Sequence, residues 1–179
     1  MFNPGVELAA YLVHWSPVHS EASQLGWKAI EKAIDHLMSQ SEMGQHEINN
    51  YQQMVKLMKL RESEFNHQIQ YSLNQVLEKV ILLAEQCVDR DVSSWSTGYK
   101  ALPLDFVDSP EDPLCNQFGH LVEQNLDFYI HQLSQEGTWD ISWSWDSYPE
   151  EFAVARRDWK GILAVRRYKI LKSFGYLEY

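Results

Sequence analysis

Apolar residues recur at intervals of three and four along most of this chain, a spacing that builds helices rather than strands. The clearest stripe is Ile69, Leu73, Val76, Leu77, Val80, Ile81, Ala84 and Cys87, which predicts one core-facing helix over 64–88. Trp27, Ile30, Ile34, Leu37 and Met38 predict another over 21–39, capped by Ser20. Ile48, Tyr51, Met54, Val55 and Met58 predict a third over 45–60. Asn3-Pro4 reads as a cap and first helical residue for a short helix over 4–14, closed by Trp15-Ser16-Pro17. Phe118, Leu121, Val122, Phe128 and Leu133 point inward from a helix over 113–135. Ser147-x-Pro149-Glu150 reads as a capping box that opens a last helical region, split at Gly161 and stopped at Gly175. Only Ile141, Trp143 and Trp145 alternate, too few residues to nucleate a sheet. The expected fold is therefore all-α: one domain over 1–179, built from about six to seven antiparallel helices.

The stretch 89–112 lacks helical period and carries Gly98, Pro103 and Pro110. Trp95, Tyr99, Leu102, Leu104, Phe106 and Val107 give it apolar anchors, so it is expected to be a long ordered loop.

A chain of 179 residues buries about 70% of its unfolded surface, so its core needs no staples. Cys87 and Cys115 lie in apolar helical patterns and read as free thiols. The longest apolar run, Val80 to Ala84, is far short of a membrane span, and the start of the chain does not read as a secretory leader. The expectation is a cytoplasmic protein. A net charge of −10 repels phosphate backbones and argues against nucleic acid as a partner. Seven of the 15 basic residues nevertheless fall within 17 positions, Arg156 to Lys172. They read either as an anion patch or as the solvated face of a helix.

The most specific local feature is the run Gln132-Leu-Ser-Gln135-Glu136-Gly137-Thr138-Trp139. It resembles the Gln-Trp repeat of terpenoid cyclases and of the protein prenyltransferase β-subunit superfamily. The stretch from Gln135 to Gly175, and more loosely the start at Pro4 to Leu12, is similar to cyclase-like proteins of that superfamily. The resemblance implies an α/α toroid, of which this chain makes about half. It also implies a clamp at a helix end, in which Gln and acidic side chains satisfy backbone groups, Gly turns the chain and Trp seals the joint. Only one Gln-Trp copy is present, and the Asp-x-Asp-Asp acid motif of the cyclases is absent. The acids Asp105, Asp108, Glu111 and Asp112 have a different spacing. The zinc ligands of the prenyltransferases find no matching motif.

Chemistry-bearing residues are sparse. Glu7, Tyr11 and His14 share one face of the first helix, where a Glu–His pair can move a proton or simply lie at a surface. With Asp105, Glu7 and His14 are the candidates for catalysis. Trp143, Trp145 and Asp146, with Asp140, form an aromatic and acidic cluster. Such rings stabilise a cation, stack on a sugar, or seal helix ends. Tyr11, Trp143, Trp145 and Asp146 are the candidates for ligand binding. The histidine and cysteine spacings, including Cys115-x4-His120, close no four-ligand set, so no metal and no cofactor is expected. Two functions follow as expectations. One is a non-catalytic relative of the cyclases and prenyltransferases that binds an apolar or sugar-like small molecule and completes its ring as a homodimer. The other is a protein-interaction scaffold. An active lyase or transferase of isoprenoid type ranks behind both.

Overall fold

A computed structural model describes residues 3–145 and 147–177. Among the described residues there are eight α-helices, two short 3-10 turns and no strand, so the protein is all-α. They divide into two compact units, one ending at Cys87 and the other beginning at Val88.

The first unit holds five helices: α1 (Gly5–Trp15), α2 (Glu21–Ser39), α3 (Gln45–Lys59), α4 (Glu62–Gln68) and α5 (Leu73–Cys87). α1 packs against α2 and α3, and α5 against α3 and α2. The α1–α2 contact is close because Gly26 has no side chain. A Cβ there would lie 2.6 Å from Val13 Cγ2 and 3.0 Å from the Ala9 carbonyl oxygen. Ser20 caps α2 as its sequence implies, accepting from the Ser23 amide at 3.2 Å. Ile30, Ile34, Leu37, Ile48, Met54 and Met58 fill the core. Tyr51 is buried among them and donates its hydroxyl to the Ala33 carbonyl at 2.7 Å. Burial holds that phenol well above its ordinary range.

The single helix expected over 64–88 is two. The apolar stripe runs through the break, because Ile69 and Leu73 are both buried. The backbone leaves the helix at Ile69, at φ −110 and ψ 138. Ser72 and Gln75 then form the start of α5: the Ser72 amide donates to Gln75 Oε1 at 2.8 Å, and the Gln75 amide to Ser72 Oγ at 3.3 Å. Asn66 Oδ1 takes the Leu73 amide at 3.1 Å.

The second unit opens with the 89–112 segment, which is ordered and holds the 3-10 turns Val92–Ser94 and Pro103–Asp105. Trp95, Leu102, Leu104, Phe106 and Val107 are buried as expected, whereas Tyr99 is exposed. The helix expected over 113–135 is also two: α6 (Pro113–Phe118), begun by an Asp112 cap, and α7 (His120–His131). Gly119 breaks it at φ 54 and ψ −128, a backbone position that only glycine takes without strain. Leu133 lies beyond the end of α7 and is exposed, while Asn125, Leu126 and Tyr129 are buried.

α8 (Pro149–Ser173) is continuous through Gly161. Its cap is Tyr148 in the left-handed region, at φ 59, in place of the expected Ser147 box. Gly175 ends it as expected. At φ 78 its amide donates to Lys172, and the Tyr176 amide reaches the Leu171 carbonyl, which is a Schellman closure. Among the described residues no helix is long and apolar enough to cross a membrane.

Candidate functional site

The end of α7 leaves carbonyls without helical donors. Trp139 returns to one of them: its indole nitrogen donates to the Tyr129 carbonyl at 2.6 Å, and its ring is fully buried. Gly137, at φ 73, turns the chain back. Ser134 and Thr138 close the turn, with the Ser134 amide donating to the Thr138 carbonyl at 2.9 Å and the Thr138 amide to Ser134 Oγ at 3.2 Å. Those bonds do the work expected of Gln135 and Glu136, whose side chains are exposed. α8 locks onto this joint. The Tyr168 ring meets Trp139 edge-on at 4.9 Å, and its hydroxyl donates to the Gly137 carbonyl at 2.9 Å. The Arg167 guanidinium lies 4.1 Å over the Tyr129 ring. Burial lowers the Arg167 pKa and raises that of Tyr129.

Two acids fix α8 further. Asp105 accepts the Leu102 amide at 2.9 Å on one carboxylate oxygen and faces Arg166 Nη1 at 3.4 Å with the other. Arg166 also donates to the Asp105 carbonyl at 2.8 Å. Asp140 takes both arms of Arg156, one of them Nε at 2.8 Å, and has Lys160 at 3.6 Å. The Arg156 hydrogen bond, above all, holds its carboxyl down at about 2. The basic run is thus distributed among separate tasks. Arg156 and Lys160 serve Asp140, Arg166 serves Asp105, and Arg167 lies on aromatic rings.

Beyond Asp140 the aromatic residues gather. Trp143 stacks on Trp145 at 6.5 Å and meets Phe152, Trp159 and Tyr99 at 5.9, 5.8 and 6.4 Å. Trp145 also lies against Phe152 at 5.5 Å and keeps 45% of its surface exposed. Nearby in the chain, the Gly98 amide donates to the Ser142 carbonyl at 2.9 Å and the Ser142 hydroxyl to the Gly98 carbonyl at 2.7 Å. The sequence names Trp143 and Trp145. Phe152 and Trp159 escape it, because nothing local says which side of α8 meets the loop. Asp146 lies outside the described residues.

The other side of α8 is open. Gly161, Ile162, Val165 and Ile170 line a groove of about 960 Å³. Ile162 is 53% and Val165 65% exposed, a poor arrangement for apolar side chains in water. Arg157, Arg166 and Lys169 also line it, with Asp108 and Asp158. The groove lies wholly within the second unit. Its signal in the sequence is that apolar residues spread round α8, with Val154 and Val165 on the side away from Phe152 and Trp159, and Ile162 between them.

The remaining candidates belong to the first unit. Glu7 and His14 are half-buried on one flank of α1, with Tyr11 beside them accepting from Gln53 Nε2 at 3.0 Å. The His14 ring meets Trp15 edge-on at 4.9 Å. Among the described residues no group of three or more His, Cys, Asp and Glu side chains is placed to hold a metal ion. Cys115 donates its thiol to the Ser109 carbonyl at 3.2 Å. Set against protein-family models, curated proteins and solved structures, the chain finds no match.

Proposed function

We propose that this chain is a non-catalytic binding domain whose second unit takes up an apolar small molecule in the groove along α8. The observation that carries this reading is the groove itself. Its volume of about 960 Å³ lies within the range of small-molecule sites, and its walls present Ile162 and Val165 to solvent. The aromatic cluster around Trp143 supports the reading indirectly, by holding the first turns of α8 in place. It also offers Trp145 as a face for a sugar ring, the second ligand class expected of such rings. The engagement of both Asp105 oxygens favours a structural role for that acid over an active lyase or transferase.

We further read the chain as about half of an α/α array related to the terpenoid cyclases and prenyltransferases. The support is local and partial: Trp139 is buried at the helix end and Gly137 turns the chain, as in a Gln-Trp clamp, while Ser134 and Thr138 stand in for its Gln and acidic side chains.

Gly161 provides the test. A Cβ built there meets nothing within 4 Å and Gly161 lines the groove, so a large side chain should project into it with no clash at its base. Anilinonaphthalene sulfonate should brighten on the wild-type protein and be displaced by decanol. Gly161→Trp should lose at least about tenfold in probe affinity, or roughly 1.4 kcal/mol, with its helical circular dichroism unchanged. Equal binding by both proteins would remove the groove from the account.

A further inference from the structure

α1 is apolar on two opposite sides. Val6, Ala9, Ala10 and Val13 are buried against α2 and α3. On the far side Leu8, Tyr11, Leu12 and Trp15 follow the i, i+3, i+4, i+7 pattern of a second stripe, with Leu8 61% and Trp15 77% exposed. Glu7 is the only acid on the helix, and it carries neither lysine nor arginine, in a chain whose net charge is −10. A helix with two opposite apolar sides is one that is covered from both.

We infer that the exposed α1 stripe is an isologous contact with the α1 stripe of a second copy of this chain, the two helices running antiparallel. Three observations select that occupant. The first is area. The exposed parts of Leu8, Tyr11, Leu12 and Trp15 offer on the order of 400 Å² of apolar surface per copy. That makes the apolar core of an interface of roughly 800 Å² per partner, with the flanks as its rim. The second is size. Antiparallel pairing centred between Tyr11 and Leu12 sets the large Trp15 of each copy beside the smaller Leu8 of the other. Parallel pairing would oppose Trp15 to itself. The third is polar complementarity, an imidazole set against a carboxylate. Glu7 and His14 lie on the same flank of the helix, seven residues apart. A two-fold axis across antiparallel helices brings like flanks together in reverse order, so each Glu7 comes within about two residues, or ~3 Å along the axis, of the other copy's His14. It also pairs opposed helix dipoles. The inference stands independently of the α8 groove, which belongs to the other unit.

Sedimentation velocity from about 1 to about 100 µM covers the affinities that an interface of this size supports. The expected result is a species of twice the 21.0 kDa chain mass. Leu8→Glu should weaken dimerisation at least about tenfold with unchanged helical circular dichroism, because Leu8 is solvent-facing in the free chain. Glu7→Lys should also weaken it, and the double change Glu7→Lys/His14→Glu should restore it, which only a self-complementary antiparallel contact does. Val165→Glu, on the exposed side of α8, should leave it unchanged. A monomer throughout the range would overturn the inference. So would a dimer that survives Leu8→Glu, or one that Val165→Glu abolishes.

Discussion

Trp139→Ala should be among the most damaging single changes in the second unit. The indole is fully buried, and removing a buried Trp side chain costs about 3–5 kcal/mol. Part of that is apolar contact with Tyr168, and part is the 2.6 Å bond to the Tyr129 carbonyl. The two parts separate in Trp139→Phe. Phenylalanine keeps most of the apolar volume but cannot donate, so an α7 terminal carbonyl loses its partner at a cost of about 1–3 kcal/mol. In a unit of about 90 residues, 1 kcal/mol corresponds to roughly 4–8 °C in Tm. Trp139→Ala should therefore lower the Tm of that unit by at least roughly 12 °C, and Trp139→Phe by clearly less. Calorimetry reads both, with urea unfolding as a check on the free energies. If both variants unfold within about 1 kcal/mol of the wild type, the clamp reading of this joint is wrong.

Three further outcomes follow from the packing. Gly26→Ala should destabilise the first unit by about 1–3 kcal/mol, because its methyl would press on Val13 and on the Ala9 carbonyl; Val13→Ala should rescue only the first of these clashes, as urea unfolding of the single and double variants will read. Gly161→Ala should do the reverse in the second unit, stabilising α8 by up to about 1 kcal/mol while leaving probe uptake intact, since the added methyl meets open space. Asp140 has a folded-state pKa depressed from 3.8 to about 2, so its contribution is present above pH 4 and is lost as pH falls from about 4 to 2; Asp140→Asn should flatten the stability profile in that window alone.

Much of the helical content is legible in the chain because periodicity and capping act locally. Ser20 caps α2 through its own side chain, and Gly175 stops α8 through its own backbone. The breaks are less legible for the same reason. Ile69 and Leu73 keep a four-residue spacing across a non-helical link, since both sides of the break bury apolar residues in one core. The Ser72-x-x-Gln75 box and Gly119 mark the two breaks, yet apolar residues keep their helical spacing across both. At the start of α8 local chemistry misleads: Ser147 offers a cap, yet Tyr148 occupies that position in a left-handed conformation. The aromatic cluster was half legible. Trp143 and Trp145 sit on one short segment, whereas Phe152 and Trp159 join them only through the packing of α8. The groove was the least legible part. Its residues are unremarkable one by one, and only the side of α8 that stays uncovered makes them a site.

The measurement that reaches the central proposal most directly is an amide chemical-shift titration of the labelled protein with decanol. The groove reading predicts saturable shifts concentrated at Gly161, Ile162, Val165 and Ile170, absent in Gly161→Trp. Shifts scattered over both units, or centred on Trp143 and Trp145 with Gly161 unmoved, would contradict it.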